Sequence, residues 1–282
     1  MHSSLDGRRL EAYSGGMTRD AMQHINEQDQ ATLRRFVDRL EARGRDPRFT
    51  AFRDSYLAEL PPEGEVLEVG CGTGVVARAL ARVPGYTVTG VDQSPVLLEA
   101  ARGFAAAEGL KVDFRRGDAH ALDFPSASFD VLVAHTLISH VADPARVLRE
   151  ARRVVRPGGV VAVFDGDYAS LTFACADHTL GRAMEEALLA VVVSQPRVMR
   201  DLPELLRACG LELVEVQGHL LTEVGGGGFF LGLAETFSPL TVREGLISDD
   251  EQAVWLAGLK RAGQRGTFFA ACAYYGYVAR AA

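Results

Sequence analysis

The stretch VLEVGCGTG at residues 66–74 places a carboxylate inside an apolar run and follows it with a glycine at every second position. Val66, Leu67 and Val69 read as a buried strand, and Glu68 is an acid at its end. Gly70, Gly72 and Gly74 allow a tight turn in which no Cβ stands between the peptide groups and a ligand. The sixth place of a dinucleotide fingerprint is Val75, so a dinucleotide is not expected. A second acid, Asp92, ends the run TVTGVD about 20 residues further on, where its carboxylate can accept two ribose hydroxyls. Its alternative role is a cap for the helix that Ser94-Pro95 announces. In a third element, Gly117-Asp118-Ala119, Asp118 can accept from an adenine amino group and the Ala119 amide can donate to a ring nitrogen. A plain turn is the alternative reading for Asp118.

These residues need a parallel sheet to bring them to one edge, and the chain alternates accordingly. Strands are expected near residues 66–69, 86–91, 111–115, 131–134 and 160–164, with helices near 75–83, 95–108 and 144–155 between them. Arg156-Pro157-Gly158-Gly159 stops the last of these helices and turns the chain into a strand. Beyond Gly166 helices are expected near 180–193 and 202–209, a strand near 211–216, a Phe-rich helix from Phe229, a helix around Trp255 and a last strand near 268–279. Gly225 to Gly228 read either as a hinge or as a simple flexible connection. Ahead of the sheet, Ile25, Leu33, Phe36, Val37 and Leu40 form an apolar stripe, and Pro61-Pro62 closes a helical segment.

A chain of 282 residues, 48% hydrophobic, can bury one elaborated domain. Its net charge of -7 disfavours nucleic acid and anionic membranes, which are bound through clustered Lys and Arg. Cys71, Cys175, Cys209 and Cys272 are scattered without a C-x-x-C pair, so no metal site and a reduced, cytoplasmic setting are expected. The N-terminus lacks the apolar core of a signal peptide, and no segment reaches about 18 uninterrupted apolar residues.

Together these motifs, with FDVLVAHTLISHVADP at 129–144 and RVVRPGG at 153–159, resemble the class I S-adenosylmethionine-dependent methyltransferases. The resemblance is to the small-molecule enzymes similar to ubiquinone and menaquinone methyltransferases. It is close over residues 65–166 and looser elsewhere. It implies a Rossmann-like α/β fold: a mainly parallel seven-stranded sheet with the last strand antiparallel, a helical cap over residues 1–62, and a domain at 63–282 carrying an insertion at 224–264. It also implies that Glu68, Gly70, Cys71 and Gly72 surround the methionine part of S-adenosylmethionine. Asp92 and Gln93 then meet the ribose, Asp118 and Ala119 the adenine, and His135 lies beside the sulfonium. Cys71 is expected to act through its backbone.

Methyl transfer from a cationic sulfur asks the protein mainly to hold an acceptor in line and exclude water. An acceptor hydroxyl must also lose a proton, for which histidine is the natural base. His140 is the first candidate, with a carboxylate from Asp165 or Asp167 behind it; bracing the helix that begins near Pro144 is the alternative. Tyr13, Tyr274, Tyr275 and the pairs Phe229-Phe230 and Phe268-Phe269 are candidates to line an acceptor pocket, or else plain core. His24, His120, His178 and His219 receive no role. The expected activity is transfer of a methyl group to an oxygen, nitrogen or carbon of a small organic acceptor, releasing S-adenosylhomocysteine. The rivals are a non-methylating cyclase or decarboxylase on the same cofactor and an inactive binding protein.

Overall fold

A computed structural model describes residues 20–282, so Tyr13 lies outside the described residues. After a 3-10 turn at Ile25–Glu27, α1 (Gln30–Arg45) starts at Asp29, whose carboxylate accepts from the Thr32 amide at 2.7 Å. Asp46 ends α1 and caps α2 (Pro47–Leu57), with Pro47 in the first turn, where its missing N–H costs nothing.

Strands and helices then alternate as β1 (Gly64–Val69), α3 (Val75–Leu80), β2 (Tyr86–Asp92), α4 (Pro95–Ala107), β3 (Asp113–Arg116), β4 (Phe129–His135), α5 (Pro144–Val154) and β5 (Val155–Phe173). The remainder is α6 (His178–Val192), α7 (Val198–Ala208), β6 (Leu211–Gly225), α8 (Phe229–Arg243), α9 (Asp249–Gln264) and β7 (Phe268–Ala281). The seven strands form one sheet in the order β3-β2-β1-β4-β5-β7-β6, parallel from β3 through β5, with β7 antiparallel to both its neighbours. This is the sheet that the family resemblance implies.

The central strands are buried on both faces, which explains their unbroken apolar runs. Val131 and Val133 of β4 join the core beneath α1 to α4, while Leu132 and Ala134 point to the core beneath α5 and α7. An ion pair fixes the α1–α2 hairpin over the first of these faces: buried Arg78 on α3 reaches both carboxylate oxygens of buried Glu41 on α1, at 2.7 and 2.8 Å.

The last strands are longer than expected. β5 runs through Gly166 to Phe173, because beyond Phe164 it leaves β4 and continues against β7 alone, with a register shift between Asp167 and Thr172. β6 and β7 keep pairing to Gly225 and Phe268, so the extension ends under α6, α8 and α9. The glycine run that follows is open at Gly225 and Gly226 and packed at Gly227 and Gly228. Glu223 accepts from the Phe229 and Phe230 amides, both at 2.9 Å, and a Cβ on Gly228 would sit 2.9 Å from that carboxylate.

Candidate active site

The edge formed by the carboxyl ends of β1, β2 and β4 holds a cavity of about 310 Å³, within the size range of ligand sites. Its floor is the turn after β1. Gly70, Gly72 and Gly74 have φ of 67°, 53° and 76°, the left-handed region where a side chain is strained. The turn is latched from both sides. Glu68 accepts from the Ala77 amide at 2.6 Å at the start of α3, and the Cys71 amide donates to the Val91 carbonyl at 3.0 Å. Asp92 accepts from the Gly72 amide through one oxygen and from the Ser94 amide through the other, both at 2.8 Å. Asp92 thus shapes the entry to α4, whose cap is Ser94 rather than Asp92, and it lines the cavity.

All nine residues assigned to the cofactor by resemblance line this one cavity. Glu68 is 2% exposed, and burial pushes its carboxyl up to about 8; burial likewise raises Asp92. Cys71 is buried, and that burial, with the charges of Glu68 and Asp92, holds its thiol well above the usual range and unreactive. Gln93 donates to the Gln23 carbonyl at 3.1 Å and so ties β2 to the segment before α1. Asp118 is exposed and accepts from both the amide and Nδ1 of His120; burial opposes these bonds, but they hold its carboxyl below the ordinary value. His135 stacks on Phe164 with centroids 4.7 Å apart, and its Nδ1 is 2.9 Å from the Tyr56 hydroxyl. Burial, then the charges of Arg43 and Arg53, keep it neutral.

A second cavity adjoins the first and shares Met22, Leu40, Arg43, Thr136 and His140 with it. Of the aromatic candidates, Phe229 and Tyr274 line it, Phe230 and Phe268 are buried core, and Tyr275 and Phe269 lie elsewhere. His140 faces both cavities, but the carboxylate behind it differs from expectation. Asp20, fully buried, stands 2.9 Å from His140 Nδ1 and accepts from the Ser194 amide through the same oxygen. Asp165 instead accepts from the Ser139 and Gly166 amides, shaping the turn that carries His140 and acting on it only through its charge. Asp167 is turned away into a bidentate pair with Arg200 of α7. Neither lines either cavity. Burial favours neutral His140, yet the charge and hydrogen bond of Asp20, with the charge of Asp165, outweigh it and raise His140 above the ordinary histidine value.

A family model for the methyltransferase domain matches residues 67–163, from β1 to β5. A ubiquinone biosynthesis O-methyltransferase of Methylobacterium nodulans is 31% identical over 199 residues, covering 65% of this chain and 70% of that protein. The chain belongs to the class I S-adenosylmethionine-dependent methyltransferases. A second ubiquinone biosynthesis O-methyltransferase, from Methylocella silvestris, is 39% identical over 136 residues, 46% of this chain and 52% of that protein. An uncharacterized 37.1 kDa protein in transposon TN4556 of Streptomyces fradiae is 32% identical over 225 residues, 78% of this chain and 63% of that protein, so the chain spans less than two thirds of the length of this relative and of the Methylocella silvestris one. A candidate methyltransferase of Bacillus halodurans C-125 superposes with a TM-score of 0.57 at 21% identity, covering 80% of this chain and 96% of its own, a likeness of fold.

The cavity suits the cofactor of this methyltransferase class on physical grounds. Two buried carboxylates raised by desolvation are the counterpart of a ligand carrying a cationic sulfur and an ammonium group. A Cβ on Gly72 would meet only Leu40, at 3.4 Å, so the turn leaves its peptide open to the cavity. The Thr73 hydroxyl, buried and lining the same cavity, has no partner among the described residues, nor has His24 Nε2. Sequence reasoning missed both. Thr73 was signalled by its place between two of the glycines; His24 and His120 lie on the wall through tertiary packing alone.

Gly70 offers a direct test of the turn. Alanine there would be held at a φ of 67° with its Cβ 2.6 Å from Leu137 Cδ1, so Gly70→Ala should destabilise the methyltransferase by about 1 to 3 kcal/mol. Urea denaturation measures this, and an unchanged midpoint would mean the turn repacks freely.

Proposed function

We propose that this protein transfers a methyl group from S-adenosylmethionine to an oxygen, nitrogen or carbon of a small organic acceptor. The observation that carries the reading is the pair of joined cavities, one on the glycine turn and one walled by aromatic side chains, meeting at His140. When bound, S-adenosylmethionine supplies an activated methyl group on a positive sulfur. In this reading Glu68, Gly70, Cys71 and Gly72 hold its methionine part, Asp92 and Gln93 its ribose, Asp118 and Ala119 its adenine, and His135 lies beside the sulfur. Support comes from their common placement on one cavity wall.

The chain's own residues then have distinct tasks. His140, oriented through Nδ1 by Asp20, accepts a proton from an acceptor hydroxyl. Neutral His135 and its Tyr56 partner keep a positive charge away from the methyl donor. The hairpin of α1 and α2 excludes water from above. The proposed layout is a helical cap over residues 1–62 on a domain at 63–282, with 224–264 closing the acceptor side. The acidic net charge, without a basic surface run, favours a small molecule over nucleic acid. The four cysteines are free, which suits a cytoplasmic setting. No helix among the described residues is long and apolar enough to cross a membrane.

S-adenosylhomocysteine release is the test. Incubation with S-adenosylmethionine and a panel of small phenols, amines and enolisable carbon acids should yield it only when an acceptor is present. Conversion of an acceptor without its release would point to the non-methylating use of the same site.

A further inference from the structure

The acceptor cavity carries a charge that the methyl transfer itself does not require. α1 presents Phe36, Arg39, Leu40 and Arg43 to it, at the i, i+3, i+4, i+7 spacing of one helix face. Two arginines therefore stand on a face that is otherwise apolar. Arg39 lies 4.5 Å over the Phe229 ring and 5.6 Å from the Phe237 ring, and donates to the Phe229 carbonyl at 3.4 Å. Arg43 donates to the Thr136 hydroxyl at 2.8 Å. Among the described residues neither guanidinium has a carboxylate partner, although the chain carries an excess of acids and the buried Arg78 is paired with Glu41 and Glu108.

This arrangement sets two like charges on one face. Burial draws the Arg39 guanidinium down to about 10, and the like charge of Arg43 adds to it. Each guanidinium has five N–H groups in the fork that matches a carboxylate or phosphate, and among the described residues each makes one hydrogen bond. The ring stacking fixes Arg39 without neutralising it. Around the pair, Phe36, Phe229, Phe237 and Tyr274 supply flat apolar walls.

We propose that the methyl acceptor is a small aromatic compound bearing an anionic group, a carboxylate or a phosphate, which Arg39 and Arg43 bind in the aromatic-walled cavity beside His140. The inference rests on the methyltransferase reading above and specifies its substrate class. It also assigns Arg39 a specificity role separate from cofactor binding, because Arg39 lines only the acceptor cavity while Arg43 lines both.

Calorimetric titration of the full chain, first with S-adenosylhomocysteine and then, saturated with it, with four probes, tests the proposal. The probes are benzoate, phenyl phosphate and the neutral benzamide and benzyl alcohol. At least one anion should bind tenfold or more tightly than the neutral probes, and which one does so tells carboxylate from phosphate. Arg39→Gln should reduce that preference about tenfold, Arg39→Lys should restore part of it, and neither should change the affinity for S-adenosylhomocysteine. If no anion outbinds the neutral probes, including the case in which none of the four binds, or if the preference survives in Arg39→Gln and Arg43→Gln alike, the inference is overturned and the methyltransferase reading stands. Failure of S-adenosylhomocysteine itself to bind would overturn that reading, and this inference with it.

Discussion

Replacing Asp92 with alanine is expected to weaken S-adenosylhomocysteine binding about 30- to 150-fold, a loss of about 2 to 3 kcal/mol. The size follows from the double duty of one carboxylate. Asp92 is 8% exposed and latches the glycine turn through Gly72 while fixing the start of α4 through Ser94. Each oxygen can accept a further hydrogen bond from the cavity side, the pattern suited to a pair of ribose hydroxyls. Alanine removes the ligand contacts and leaves the two amides without their acceptor. Titration calorimetry of both proteins reads the loss, and a thermal melt of the unliganded variant separates it from unfolding. Equal affinities would remove Asp92 from the site.

A change at His140 should act on turnover rather than on binding. With an acceptor whose hydroxyl must be deprotonated, His140→Ala should lower kcat by roughly 10² to 10⁴ and leave the affinity for S-adenosylhomocysteine nearly unchanged. The base works in its neutral form, so the rate should rise with pH, its midpoint above the ordinary histidine value of about 6.5 because Asp20 and Asp165 favour the charged ring. Asp20→Asn should move that midpoint down. Stability runs the other way, since a raised histidine contributes most below its unfolded-state pKa and loses that contribution as pH climbs through its folded-state pKa. The clamp between Asp20 and His140 is thus tightest where the base is least active. A fully active His140→Ala with a pH-independent rate would assign the catalysis to proximity alone.

The sequence made the cofactor half of the molecule legible because its signals are local. VLEVGCGTG carries its strand end and turn within nine residues, with the helix starting at Val75, and Asp92 ends a strand recognisable from its apolar run while Asp118 follows the next strand by two residues. The acceptor half is assembled from distant segments. Asp20 meets His140 and Ser194 across 120 and 174 residues, and no spacing rule links them. Asp165 was the better local guess, being at a strand end on the same edge, but its oxygens are drawn to the Ser139 and Gly166 amides. Arg39 and Arg43 did lie at helical spacing from Phe36 within the apolar stripe. Their charge reads as a solvated face until α8 is seen to cover it. The full length of β5 was hidden by Gly166, which reads as a break and instead sits against the ring of Tyr168 inside a continuing strand.

That contrast in reach has a consequence for how the protein comes into being. Residues 68 to 119 contain all but one of the groups assigned to the cofactor, so the closure entropy of assembling them is small. The pairing of Asp20 with His140 and Ser194 must instead close loops of 120 and 174 residues, at a larger cost in chain entropy. Refolding should therefore restore S-adenosylhomocysteine binding no later than turnover, and turnover is the stricter measure of a completed molecule.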